Sequence, residues 1–345
     1  MSFDLSSSLE SDKPNTQQVY FFDSTTQPPR WRVALRQARK EHLLPSAEGA
    51  QAEKIHLLSW NIDFQATAAE ERMTAALKYL SELQTNHDTN DGSPTVIMLQ
   101  EMVPSDLQLI QQASWVREKF YITDITGSQW MSSYGTTMLI DRRLPIERAF
   151  RVPYALSAMT RDALFVDITA NNTLVRLCTT HLESLLMGRD IRPVQLRLAS
   201  EYMHGVERAI AFDESGDRIP GPQASILAGD LNAFLSEDDE TPGKCHLRDA
   251  FLELGGRSDT SAAYTWGFQS PNDRYEPSRM DRALFCGEVE ALHYERIGVG
   301  LKVNIDAYDS DDSSKDTASD RWEEVWVTDH YGLMVEFRIN GCGAE

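Results

Sequence analysis

The chain has 345 residues, of which 41% are hydrophobic and 25% charged, and its formal net charge is −20. This composition sits with globular proteins and outside the disordered class; no apolar run approaches the roughly 18 residues of a bilayer span, and the opening MSFDLSSSLESDKPNTQQ lacks the basic and apolar regions of a secretory signal. So strong a negative charge repels polyanions at long range, which weighs against extensive non-specific binding to a nucleic-acid backbone but does not exclude a local site. The expectation is an intracellular monomer, in nucleus or cytoplasm, without membrane insertion.

In chain order, residues 1–18 read as a polar disordered tail, 19–53 as an N-terminal extension and 54–340 as the main domain. RWRVALRQARK, Arg30 to Lys40, carries five basic residues among apolar ones and reads as a short amphipathic helix. Short Val/Ile/Leu-rich runs then mark buried strands: IHLLSW, TVIMLQ, TTMLI, LFVDIT, LVRLCTT, SILAGD, RALF, and VWVT leading into LMVEF. Helices are expected over Ala68 to Leu83, Ser105 to Arg117 and Arg192 to Ile210, the last with Pro193 in its first turn. SEDDE at Ser236 to Glu240 and the acidic run Asp306 to Asp320 read as solvated loops. The four cysteines, Cys178, Cys245, Cys286 and Cys342, are scattered without zinc spacing and read as free thiols. Strands outnumber helices, which favours packed sheets with helices outside them.

Polar residues recur at one unusual place, immediately after a buried run. Asn61 and Asp63 follow IHLLSW; Gln100 and Glu101 follow TVIML; His181 and Glu183 follow LCTT; Asp230 and Asn232 follow ILAG; Asp329 and His330 follow VWVT. Taken singly, each has an ordinary reading as a turn residue, an exposed charge or a hydrogen-bonded core histidine, and Asp281 as a partner of Arg279 or Arg282. Taken in this order, they predict one polar cluster at converging strand ends.

The ordered motifs SWNID (Ser59 to Asp63), LQEM (Leu99 to Met102), THLES (Thr180 to Ser184), GDLN (Gly229 to Asn232), RMDRALF (Arg279 to Phe285) and TDHYGL (Thr328 to Leu333) resemble the endonuclease/exonuclease/phosphatase superfamily, with its deoxyribonuclease I-like fold. WNID, THLES, Arg192 with Gln195-Leu196, Thr265-Trp266 and RMDR are similar to the 5′-tyrosyl-DNA phosphodiesterase subfamily. The resemblance implies an α/β fold, a four-layer sandwich of two packed mixed β-sheets with helices on the outside, and a catalytic domain over 54–340. The chain departs from the subfamily where Phe64 and Gln65 follow WNID in place of glycine, and where Phe234 stands in place of a phosphate-holding arginine.

The implied chemistry is hydrolysis of a phosphodiester by in-line attack of water. Hard oxygen ligands without thiolate suit Mg²⁺ or Mn²⁺: Glu101 is the expected first ligand and Asp63 completes or orients the shell. Asp230 is the expected base, Asn232 fixes the water or a phosphate oxygen, and His330 donates to the phosphate. Asp329 or Asp281 orients an imidazole, and Asn61 and His181 supply further donors. Tyr134, Ser184, Arg192 and Trp266 are expected on the substrate, with Phe268 and Tyr331 as further aromatic candidates and Arg189 or Arg192 replacing the missing arginine. The expected substrate is a nucleic-acid end. A small-molecule or lipid phosphohydrolase and a non-catalytic binding module are the alternatives.

Overall fold

Along β4 (Lys54–Asn61), Ile55 and Leu57 enter one apolar core while Leu58 and Trp60 enter another. Successive side chains of a strand point to opposite faces, so a strand apolar on both needs cover on both. That requirement sets the layers of this computed structural model, which describes residues 9–34, 51–206, 221–269, 275–306 and 322–341.

The other strands are β1 (Asn15–Thr16), β2 (Tyr20–Asp23), β3 (Arg30–Val33), β5 (Thr95–Met102), β6 (Phe120–Ile122), β7 (Gly135–Asp141), β8 (Ile146–Pro153), β9 (Asp162–Ala170), β10 (Thr173–His181), β11 (Ala224–Asp230), β12 (Arg248–Asp249), β13 (Asp281–Gly287), β14 (Val289–Ile297), β15 (Lys302–Asp306), β16 (Trp322–Trp326) and β17 (Gly332–Ile339). The helices are α1 (Ala69–Asn90), α2 (Pro104–Gln112), α3 (Ser114–Lys119), α4 (Arg192–Met203), α5 (Ser236–Lys244) and α6 (Ala250–Glu253). A seven-stranded sheet runs β1-β8-β9-β10-β11-β13-β12, an eight-stranded sheet β14-β17-β4-β5-β7-β6-β2-β3, and β15 pairs with β16 alone.

Ile55, Leu57, Val96 and Met98 of the larger sheet meet Leu164, Val166, Leu177 and Ile226 of the smaller in the central core. Met73, Leu77 and Leu80 of α1 and Leu107 and Ile110 of α2 cover the outer face of the larger sheet. Leu196, Ala199, Tyr202 and Met203 of α4 cover the outer face of the smaller. Helix, sheet, sheet, helix is the four-layer sandwich expected from the sequence, with both large sheets mixed: β4 and β5 are parallel, as are β10 and β11, and the other neighbours in each sheet antiparallel.

Several local expectations need correcting. Arg30–Val33 is a strand at the edge of the larger sheet, paired with β2, and residues 35–40 of the expected basic helix, together with residues 1–8, the run 307–320 and Cys342, lie outside the described residues. Asn15–Thr16 pairs with β8 and Gln17 is buried, so residues 9–18 belong to the sandwich, as do β2 and β3. The helix expected over Ser105 to Arg117 breaks at Ala113, which is extended at ψ 119. SEDDE opens α5, with Asp238 buried. VWVT and LMVEF fall in different sheets, β16 and β17.

Candidate active site

Register explains the convergence of the polar residues. On β4 the core-facing positions Ile55 and Leu57 continue in step to Ser59 and Asn61; on β10, Val175 and Leu177 continue to Thr179 and His181; on β11, Ile226 and Ala228 continue to Asp230. His181 lies opposite Asp230 in the β10–β11 ladder, and Asp230 opposite Asp281 in the β11–β13 ladder. The inner faces of the two sheets therefore change from apolar to polar at one end. There Gln100 Nε2 spans them, donating to Thr179 Oγ1 at 2.9 Å and Ser59 Oγ at 3.2 Å. Gly229 lets this row close up, since a Cβ there would lie 2.0 Å from the Thr180 carbonyl oxygen.

Asp230 is the hub. Its Oδ2 accepts from Asn61 Nδ2 at 3.0 Å and lies 3.3 Å from His181 Nε2 and 3.8 Å from His330 Nε2, while Oδ1 accepts from the Asn232 backbone N–H at 2.8 Å. Burial pushes its pKa up to about 6, against the attraction of His330. His330 is buried, which opposes charge, but Asp281, Asp329 and Asp230 outweigh that and hold its pKa well above the ordinary value. Of the two carboxylates expected to orient an imidazole, Asp281 does so directly, with Oδ2 2.7 Å from His330 Nδ1. Asp329 lies 3.9 Å from Nε2 and accepts from Trp266 Nε1 at 2.8 Å. His181 goes the other way: burial, then Arg161 and His330, hold its pKa well below the ordinary value. Arg161 Nη1 donates to His181 Nδ1 at 2.8 Å, which leaves the ring proton on Nε2, facing Asp230.

Glu101 joins the cluster through a break in the sheet. The β5–β7 register slips between Leu99 and Met102, and Glu101 takes the left-handed φ of +59°. A bulge of this kind re-aims a side chain. Glu101 Oε2 accepts from the Phe64 N–H at 3.0 Å and Oε1 lies 3.8 Å from His181 Nε2. Burial pushes its carboxyl up to about 7. Asp63 and Asn232 also adopt left-handed φ, +58° and +49°. Three non-glycine residues held so within one site mark backbone strain maintained by the surrounding structure.

Two carboxylate–imidazole groups are close enough to share an ion: Glu101, His181 and Asp230, and Asp230, Asp281 and His330. The first offers the hard oxygens of two carboxylates and no thiolate, so the set fits Mg²⁺ or Mn²⁺. Asp63, expected beside Glu101 in the metal shell, is in neither group: its Oδ2 lies 3.4 Å from Arg72 Nη2 and its Oδ1 accepts from the Gln65 N–H.

The expected substrate residues divide. Tyr134 stands at the rim, stacked on Phe64 at 4.0 Å with Arg161 5.3 Å from its ring centre, and Ser184 Oγ accepts from Arg161 Nη2 at 3.4 Å. Trp266 is buried against Asp329 and is 8% exposed. Arg192 is not free to hold phosphate. It is 2% exposed, paired through Nε and Nη2 with Asp238 at 3.1 and 2.9 Å, donates from Nη1 to the carbonyls of Glu183 and Leu185, and covers the Phe234 ring. Arg189 pairs with Glu237. Glu183 is fully buried and accepts from Ser157, Ala158 and Gln195, which braces the loop. Sequence reasoning missed Arg161 and Arg72, whose only sequence signal is a charge beside an apolar run.

Comparison with known proteins agrees with this geometry. The chain is similar to the 5′-tyrosyl-DNA phosphodiesterase of Caenorhabditis briggsae, 26% identical over 258 residues that cover 73% of this chain and 65% of that one. It is similar also to tyrosyl-DNA phosphodiesterase 2 of Xenopus tropicalis, 30% identical over 289 residues that cover 82% and 65%. The chain thus spans about two thirds of the length of these relatives. A crystal structure of Danio rerio TDP2 complexed with single-strand DNA product matches with a TM-score of 0.59 at 20% identity, covering 83% of this chain and 99% of that one. A mannosyl-6-phosphatase of Bacteroides thetaiotaomicron matches with 0.56 at 14%, covering 82% and 99%. Residues 58–330 match the Endonuclease/Exonuclease/phosphatase family, and the chain belongs to that family.

Proposed function

We propose that this protein is a Mg²⁺- or Mn²⁺-dependent phosphodiesterase that hydrolyses 5′-tyrosyl phosphodiesters at DNA ends by in-line attack of water. The observation that carries the reading is Asp230, buried where the two sheets meet and surrounded by Asn61, His181, Asn232 and His330. The named activity of the relatives supports the substrate.

Asp230, with a pKa of about 6, is ionised at neutral pH yet basic enough to take a proton from water, the condition for an efficient general base. Asn61 and the Asn232 N–H hold its two oxygens apart, so the carboxylate cannot rotate away from the attack line. His330, charged and fixed by Asp281, donates from Nε2 to a non-bridging phosphate oxygen. His181, neutral with its proton on Nε2, adds a second donor without a second charge. Such preorganised donors contribute roughly 3 kcal/mol each where charge develops in the transition state. Glu101 would hold the ion, which leaves Asp230 as the base, with Asp63 shaping the loop beside them. The ion would neutralise charge on the phosphate and on the departing phenolate oxygen.

A smaller phosphoester is the second reading, favoured by Arg189, Arg192, Arg279 and Arg282 all being paired with carboxylates. The deciding experiment compares turnover, with Mg²⁺, of a 5′-phosphotyrosyl oligonucleotide, an abasic duplex, an RNA 3′ end, a lipid phosphodiester and a sugar phosphate. Preference for the tyrosyl substrate is expected. Preference for any other overturns the substrate and leaves the hydrolytic chemistry standing.

A further inference from the structure

Arg72, near the N-terminal end of α1, lies under the loop that joins β4 to α1 and is 3% exposed. Its place runs against two general preferences. A cation at that end of a helix opposes the helix dipole, and a buried guanidinium is tolerated only where hydrogen bonds compensate its lost water. Glu70 and Glu71, beside it, follow the dipole; Arg72 does not. Its contact with a carboxylate is long, Nη2 to Asp63 Oδ2 at 3.4 Å, and its three shorter bonds go to main-chain carbonyls. Nη1 donates to the Asp63 carbonyl at 3.1 Å, Nη2 to that of Ile62 at 3.1 Å and Nε to that of Trp326 at 3.2 Å.

The Asp63 carbonyl belongs to the peptide unit whose N–H, at Phe64, donates to Glu101 Oε2 at 3.0 Å. One peptide plane is therefore held at its oxygen by a guanidinium and at its hydrogen by a carboxylate that the Asn61 side chain also bonds. Turning that plane over would take the N–H away from Glu101 and set it against the charge of Arg72. Asp63 supplies a reason for the plane to turn. It holds the left-handed φ of +58°, where a residue other than glycine stays only if its surroundings keep it.

The neighbouring groups of the loop have partners of their own. The Ile62 N–H donates to the Gln100 carbonyl, the Asp63 N–H to Asn61 Oδ1, and the Asn61 carbonyl accepts from Thr328 Oγ1. None of these three bonds touches the peptide between Asp63 and Phe64. Its orientation falls to Arg72.

We propose that Arg72 is a positioning residue, which clamps the carbonyl of the Asp63–Phe64 peptide, aims the Phe64 N–H at Glu101 and so sets that carboxylate for the ion. The clamp is a property of the metal-free protein; its consequence for the ion rests on the reading of Glu101 as the ligand. The residue type fits the task, because a planar fork reaches two adjacent carbonyls at once and a single ammonium does not. Removing a group that orients a metal ligand from behind weakens metal binding about ten- to hundredfold.

The test uses the full chain, first in EDTA with amide exchange at Phe64 followed by NMR, then with Mn²⁺ titrated by calorimetry. In the wild type the Phe64 amide should exchange slowly. In Arg72→Met, which keeps the length and loses the fork, it should exchange about tenfold faster or more, while the amides of Leu58 and Ile97 in the sheet stay protected. Mn²⁺ affinity should fall about tenfold in that variant. In a Glu101→Gln background the same replacement should change it by less than about twofold, because the clamp then has no carboxylate to aim. Phe64 exchanging as in the wild type in Arg72→Met, or in Arg72→Lys where the methionine variant does not fold, overturns the clamp. So does an unchanged Mn²⁺ affinity in Arg72→Met, or an equal loss in both backgrounds. Faster exchange at Phe64 in a protein whose wild type binds no Mn²⁺ upholds the clamp and overturns only the metal reading.

Discussion

Replacing Asp281 by asparagine is the sharpest test of the proposed His330 role. Asp281 is completely buried, and its Oδ2 lies 2.7 Å from His330 Nδ1. Two unit charges about 4 Å apart attract by about 4 kcal/mol at the effective dielectric of a protein site. Asp230 and Asp329 remain at 3.8 and 3.9 Å from Nε2 and keep part of the field that charges the ring. A net loss of about 1.5–3 kcal/mol of preference for imidazolium is therefore expected, a ten- to hundredfold fall in its population wherever the variant's ring titrates. The sign follows from the raised value in the native protein: the imidazolium is present at low pH and is lost as pH rises through the folded-state pKa. Asp281→Asn should thus lose about ten- to hundredfold in kcat/KM at alkaline pH and much less at acid pH. The assay is a pH–rate profile of both proteins at saturating Mg²⁺, with circular dichroism to confirm the fold. Profiles differing by one constant factor at every pH would refute the role of Asp281 in holding the charge on His330.

Glu101→Gln should fold and require far more Mg²⁺; and because the Glu101 carboxyl is pushed up to about 7 in the metal-free protein, wild-type metal affinity should rise about tenfold per pH unit below 7 and level off above it, a slope the variant lacks when measured by calorimetric titration. Arg192→Ala should leave KM unchanged but cost about 3–5 kcal/mol in urea unfolding, since it strands the buried carboxylate of Asp238. Gly229→Ala should cost at least about 3 kcal/mol, because its Cβ meets the Thr180 carbonyl oxygen at 2.0 Å; a variant as stable as wild type would show that β10 and β11 can part there. In EDTA, imidazole NMR should find His330 charged and His181 neutral at pH 6.5, and two rings titrating together would contradict the opposed fields.

The parts of the fold legible in the sequence are those whose burial is two-sided. IHLLSW, TVIMLQ, LVRLCTT and SILAGD are apolar at consecutive positions because a core lies on each face, and they became β4, β5, β10 and β11. Short edge strands left no such trace: Tyr20–Asp23 and Arg30–Val33 are set by partners far along the chain, and RWRV read as a basic helix because its apolar residues are few and its charges face solvent in either form. Arg192 was misread for a related reason. A charged residue at a helix start ordinarily meets water, and Asp238, 46 residues later, with the carbonyls of Glu183 and Leu185, makes its burial tolerable. The strand-end residues were legible as a set but not in their roles, since the carboxylate that meets His330 Nδ1 is fixed by the β11–β13 register, and the turn of Glu101 by a bulge.

The opposed states of the two histidines follow from the same geometry. Both rings are buried and both approach Asp230 Oδ2, His181 to 3.3 Å and His330 to 3.8 Å, so Asp230 alone cannot distinguish them. The difference is made at the far nitrogen of each ring. His330 Nδ1 faces a carboxylate, Asp281, and His181 Nδ1 faces a guanidinium, Arg161. One ring is driven to carry charge and the other forbidden it, with a donor proton on Nε2 in both. Were both charged, their combined attraction for the one buried carboxylate between them would depress its basicity. Were both neutral, only the hydrogen bonds from Asn61 and the Asn232 N–H would oppose the burial that already raises Asp230 to about 6. A single imidazolium beside a single neutral donor lets Asp230 stay ionised at neutral pH while remaining basic enough to accept a proton from water.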